Sequence, residues 1–198
     1  MPISAELVKE LRKLTGAPLM DCKKALEKTG GDIQQAMNVL REKGIAVATK
    51  RSGKEAREGI IVSYIHHSGK VGVLLELNCE TDFVARTEEF KKLAHDLAMQ
   101  VAAMAPTYIS RDDVSPDVLE EEKEVLRKWA ESQGRPPKAV EKMVEGKLEN
   151  FFANVCLLEQ PFIKDEEKKV KDIIAEAMGK IGEKIAVGRF TRYELGEG

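Results

Sequence analysis

The stretch GIIVSYIHHSGKVGVLLELNC (residues 59–79) decides the fold class of this chain. Two runs, residues 60–67 and 71–77, are rich in β-branched and apolar side chains, and Ser68-Gly69-Lys70 separates them. β-Branched residues are stiff at χ1 and fit a pleated, half-buried surface. A short Gly-containing break between two such runs is the signature of a hairpin turn. The pattern therefore predicts an antiparallel hairpin that ends at Asn78-Cys79-Glu80-Thr81-Asp82. A third strand is predicted over residues 184–195 (KIAVGRFTRYEL), where apolar and polar side chains alternate.

Outward from the hairpin the apolar period lengthens from two residues to 3.6. A helix is predicted from 88 to 104 on the face Phe90, Leu93, Leu97, Val101 and Met104, with Pro106 stopping it. Ser115-Pro116 opens another, marked by Val118, Val125 and Trp129. After the break Gly134-Arg135-Pro136-Pro137, a further helix carries Val140, Val144 and Leu148. Two helices joined by a short Gly/Pro turn predict an antiparallel helical hairpin inserted into the core. A last helix is expected over 166–178, with Val170, Ile174 and Ala177 inward.

Upstream, residues 1–45 predict three short helices. The first bears Leu7, Leu11 and Leu14; the second opens at Pro18 and bears Leu19, Cys22 and Leu26. The third starts at Asp32, paired with Gln35 as a capping box, and is expected to end at Gly44. Residues 46–58 lose periodicity and carry Lys50, Arg51, Lys54 and Arg57, which predicts a linker with room for a helical part. The fold class is α+β. A three-helix module (1–45) and a linker (46–58) precede a core of a three-stranded sheet and helices (59–110 and 156–198), and a helical hairpin (111–155) is inserted into that core.

Composition narrows the function. The 198 residues carry 32 basic and 34 acidic side chains, a net charge of −2, and 42% are hydrophobic. That is enough for a packed core and no cationic field for gathering phosphates, so neither a nucleic-acid clamp nor direct nucleic-acid binding is expected. No apolar run approaches the roughly 20 residues that span a bilayer, and the N-terminus lacks a signal-peptide core, so a cytoplasmic protein is expected. Cys22, Cys79 and Cys156 are scattered, which argues for reduced thiols over a disulfide frame or a zinc site.

Three function classes can be weighed on residues. For catalysis, His66, His67 and Cys79 are placed at strand ends near one another, with His95 on the next helix. No nucleophile elbow, phosphate loop or metal-ligand spacing accompanies them, so no catalytic role, cofactor or metal is expected. For nucleic acid, the cluster from Lys50 to Arg57 and Lys23-Lys24 lack interleaved aromatics for stacking. The third feature is Phe83, placed inside the polar strand-to-helix turn Thr81-Asp82-Phe83-Val84. It is either the first core residue of the next helix or a wedge for a pocket on another protein. Ile181-Gly182 forms a similar apolar point at the loop into the last strand.

The blocks LVKELRKLTGAPLMDCKKALEKTGGDIQQA (7–36), ELNCETDFVAR (76–86), AVEKMVEGKL (139–148), EQPF (159–162) and KIGEKI (180–185) resemble elongation factor Ts of bacteria and organelles. That family is the nucleotide exchange partner of the translation GTPase elongation factor Tu. The resemblance implies a ubiquitin-associated-like N-terminal module and a non-enzymatic exchange function. Thr81, Asp82, Phe83 and Val84 match the segment that enters the GTPase domain, where the ring displaces groups holding the GTPase's Mg²⁺. Ile181 and Gly182 match a neighbouring contact, and Leu11, Leu19 and Met20 match the module's apolar contact. The chain departs from longer members, which carry two related core halves, and this implies the short form, a homodimer. The strand 184–195, with Ile185, Val187 and Phe190, is the expected contact. Residues 189–193 hold no cysteine, so no disulfide would join the two chains. From another class, a ubiquitin-associated-type adaptor that binds polypeptide without nucleotide exchange remains the alternative.

Overall fold

Helix α1 (Ala5–Thr15) starts where Ser4 Oγ accepts the Leu7 N–H at 3.2 Å and stops where Gly16 turns left-handed at φ +66°. Helix α2 (Leu19–Lys28) follows Pro18, and α3 (Ile33–Arg51) starts at Asp32, whose carboxylate accepts the Gln35 N–H at 2.8 Å. The Gln35 amide then bonds back to Asp32 Oδ2 at 3.2 Å, so half of the capping box forms. Strands β1 (Glu58–Ile65) and β2 (Val71–Cys79) make the hairpin, followed by the one-turn helix α4 (Asp82–Ala85) and by α5 (Glu88–Met104). Then come α6 (Pro116–Ser132), α7 (Pro137–Val155), β3 (Pro161–Phe162), β4 (Asp165–Lys169), α8 (Val170–Ile181) and β5 (Ile185–Glu194). The computed structural model describes residues 3–134 and 136–197.

The three-stranded sheet is antiparallel with order β1-β2-β5, and β3 pairs with β4 in a separate two-stranded ladder. The central strand shows the period-2 rule directly: Val73, Leu75, Leu77 and Cys79 are buried and the residues between them are not. The chain divides into two compact units. The first comprises Met1–Val62, Leu75–His95 and Lys171–Gly188. In it Val8, Leu11, Ala17, Cys22, Ala25, Leu26 and Ala36 form the core of the N-terminal helices. The second comprises Ser63–Leu74, Asp96–Val170 and Arg189–Gly198. There the fully buried amides of Gln100 and Gln160 bond each other at 3.1 Å, and Gln100 also grips the Pro161 C=O and the Ile163 N–H. A buried amide left unpaired would cost about 1–3 kcal/mol, so this clamp dictates where β3 runs.

Several expectations are corrected. Helix α3 does not end at Gly44 but continues to Arg51, so residues 46–51, at the start of the expected linker, are helical. The reason is a close helix crossing: a Cβ at Gly44 would lie 2.9 Å from the Ala175 carbonyl oxygen of α8, and one at Gly179 2.8 Å from the Gly44 Cα. Glycine here permits backbone contact, which outweighs its cost of roughly 1 kcal/mol inside a helix. Residues 166–169, expected in the last helix, belong to β4, because pairing with β3 overrides the helix preference of Glu and Lys. Leu14 of α1 and Val125 of α6 are exposed and do not face a core, and Trp129 is part-exposed beneath the Lys147 ammonium at 4.9 Å. Arg135, in the expected break, lies outside the described residues.

Candidate functional site

The turn after β2 is held from outside itself. Thr81 is the N-cap of α4, yet its side chain makes no capping bond. Its hydroxyl instead donates to Glu183 Oε1 at 2.7 Å and its N–H donates to Glu183 Oε2 at 3.1 Å. In return Glu80 accepts the Lys184 N–H at 2.6 Å and two bonds from the Arg51 guanidinium at 2.7 and 2.8 Å. Each loop thus lends a carboxylate to a backbone N–H of the other. Gly182, at φ +83°, ends α8 with its N–H on the Met178 C=O at 2.8 Å and lets the chain turn into this arrangement. From below, Cys79 Sγ donates to the Thr81 C=O at 3.1 Å.

On this fastened turn Phe83 is 78% exposed. Ala85 is buried and Val84 half-buried, so the turn's own apolar anchoring comes from those residues and not from the ring. The Asp82 carboxylate accepts a bond from Arg86 at 2.8 Å. The structure therefore brings Thr81–Val84 and Ile181–Gly182 to one place and leaves a large ring in water there, which settles the choice between core residue and exposed ring.

The surroundings shift three of the chain's titratable groups. The Lys184 N–H first, and Arg51 second, hold the Glu80 carboxyl below its ordinary value. Burial, followed by the charge of Glu183, pushes the Cys79 thiol up, and burial pushes Cys156 up to about 11. Both thiols stay protonated and poorly nucleophilic at neutral pH. His66 and Cys79 are not neighbours: His66 donates its N–H to Val71 at the start of β2, whereas Cys79 closes that nine-residue strand. The His66 ring nitrogen Nδ1 instead pairs with the Tyr64 hydroxyl at 3.1 Å.

Among the N-terminal candidates the structure separates what sequence joined. Leu11 is fully buried in the module's own core. Leu19 and Met20 are exposed, and Leu14 joins them on the other side of the loop between α1 and α2. In the basic cluster, Arg51 is engaged with Glu80, and the Ser52 and Lys54 carbonyls accept the Lys184 ammonium at 2.7 Å each. The sequence alone does not single out Glu80, Glu183 or Arg51.

The family model for Elongation factor TS matches residues 4–197. This chain belongs to the elongation factor Ts family. Elongation factor Ts of Desulforamulus reducens is 58% identical over 196 residues, covering 99% of this chain and 90% of that protein. The Thermotoga petrophila protein is 58% identical over 198 residues, covering 100% of this chain and 98% of its own length. Elongation factor Ts of Fervidobacterium nodosum is 53% identical over 197 residues and covered throughout. Family membership makes the chain a translation elongation factor. Among the described residues no helix is long and apolar enough to cross a membrane.

Proposed function

We propose that this chain is the guanine-nucleotide exchange factor of the translation GTPase elongation factor Tu, acting in the cytoplasm without catalysing a covalent step. The observation that carries the reading is Phe83: a ring 78% in water on a turn fastened by charge-assisted hydrogen bonds. Bound GDP is held by a phosphate-cradling loop and by the GTPase's own Mg²⁺, which neutralises phosphate charge. A ring driven between helices at that site moves the groups that hold the ion and loosens the cradle. GTP then rebinds as the factor leaves.

Exchange factor and nucleotide are linked reciprocally, each lowering the other's affinity by the same coupling free energy. Every tenfold gain in release needs about 1.4 kcal/mol of preferential stabilisation of the open state. One aromatic hot spot supplies on the order of 2–4 kcal/mol. Thr81, Asp82, Val84, Ile181 and Gly182 complete the contact, and Leu19 and Met20 on the module of residues 1–45 add affinity. The working form is a homodimer. Ile185 and Val187 are buried within the chain, so the contact rests on Phe190 and Tyr193 of β5 and on Leu195 just past its end.

The test is release of fluorescent GDP from purified elongation factor Tu. A catalytic amount of this chain should accelerate release many-fold. An unchanged rate with retained binding would establish the polypeptide-binding adaptor instead.

A further inference from the structure

Helix α4 has four residues, too few to stabilise itself, since forming a single helical turn is unfavourable in isolation. Its N-cap hydroxyl, which would ordinarily accept an N–H of the same turn, is turned away as a donor. The orientation of Phe83 is therefore set by whatever Thr81 is bonded to. That group is the Glu183 carboxylate, whose two oxygens take the Thr81 N–H and hydroxyl separately. Glu183 follows Gly182 directly, so the same carboxylate ties the Phe83 turn to the Ile181–Gly182 point. We infer that Glu183 is a positioning residue for nucleotide exchange: its carboxylate fixes the Phe83 ring relative to Ile181–Gly182, so that both enter the GTPase as one rigid unit.

This inference rests on the exchange reading and adds to it a residue that touches no nucleotide and need not touch the partner. Losing the carboxylate need not unfold the turn. Thr81 would be free to cap α4 itself, which preserves the helix but releases its orientation. A ring that must find its pose during binding loses part of the transition-state gain and little of the encounter affinity.

The experiment is stopped-flow release of fluorescent GDP from elongation factor Tu across a range of factor concentrations. The proteins are wild type, Phe83→Ala, Glu183→Ala, Glu183→Gln and the double variant Phe83→Ala/Glu183→Ala. Glu183→Ala should lower the maximal release rate by about tenfold, the size expected for lost hydrogen bonds to a charged group. Its half-saturating concentration should move less than its maximal rate. Glu183→Gln, which keeps one acceptor oxygen, should fall between. The double variant should be no slower than Phe83→Ala alone, because positioning a ring that is absent has no effect. A purely structural role predicts instead that the two losses multiply, and that result, or wild-type rates for Glu183→Ala, overturns the positioning role alone. Wild-type rates for Phe83→Ala would overturn the role of the ring and this inference with it, whereas no acceleration by the wild-type chain would overturn the exchange reading itself. If Glu183→Ala does not fold, Thr81→Val, which removes only the donating hydroxyl, takes its place. A Thr81→Val loss that vanishes in the Phe83→Ala background supports the positioning role, and one that multiplies with Phe83→Ala overturns it.

Discussion

Phe83 is exposed because every polar neighbour on its turn already has a partner and the small residue Ala85 takes the inward position. Phe83→Ala should therefore leave the melting temperature within about a degree while slowing GDP release roughly 30-fold to 1,000-fold, the span of one aromatic hot spot. Calorimetry beside the release assay checks both halves, and marked unfolding would return the ring to the core. Asp82→Asn should weaken exchange far less, about two- to fivefold, since an exposed carboxylate near a helix end contributes only ~0.3–1 kcal/mol. A titration in which Asp82→Asn proved the more damaging would sink that ranking. Glu80 supplies a pH signature. Its folded carboxyl sits below the ordinary 4.5, so the folded state binds fewer protons than the unfolded one in that range. The stability it contributes is complete above about pH 4.5 and is lost as pH falls through the folded value. Wild type should melt higher than Glu80→Gln at neutral pH, with the gap closing under acid; a gap independent of pH would refute the assignment.

At the level of elements, α3 crosses α8 at backbone contact through Gly44 and Gly179, and the Arg41–Asp172 ion pair at 2.9 Å reinforces the crossing. Gly44→Ala gains about 1 kcal/mol of helix propensity but forces a methyl group to within 2.9 Å of a carbonyl oxygen. Overpacking of this kind costs roughly 1–3 kcal/mol, so the balance is a lower melting temperature. A stabilised Gly44→Ala protein would show that α8 yields at little cost. The same crossing explains why the end of α3 is not legible in the sequence. A glycine that stops a helix and a glycine that lets two helices touch look alike in one sequence, and the partner is far away in the chain. The hairpin and α5 are legible because their periods are local properties. Residues 166–169 are not, because their strand state depends on the gripped backbone at Pro161.

At the scale of the whole molecule, the proposed homodimer has edges and apolar surface to cover. Strands β1 and β5 are both sheet edges, and Ile65, Leu74, Tyr193 and Leu195 expose apolar surface beside a groove of about 540 Å³. Unpaired edges and uncovered apolar area are the features that pairing across a two-fold axis removes. All three cysteines are buried and free. The proposed homodimer should accordingly be concentration dependent and indifferent to reductant. Light scattering through a dilution series, with and without reductant, tests this; a protein that stays monomeric yet exchanges nucleotide would end the dimer proposal, and a reductant-sensitive one would end the account of its chemistry.

Period, composition and motif order lie along the chain itself. They are sufficient for the α+β class, the hairpin at 59–79, the helical hairpin and the resemblance to the elongation factor Ts family. Burial is a property of what arrives from elsewhere, and no local pattern encodes it. Leu11 and Leu19 have the same chemistry and similar helical settings, yet one is enclosed and the other faces water. Phe83 could be core or wedge until the fold places it outside. Glu183 reaches Thr81, and Lys184 reaches Glu80, across a wide gap in sequence, and only folding brings those charges and donors within 3.1 Å. Hydrogen bonds act over one contact distance, so a partner remote in the chain becomes visible only once the chain has folded.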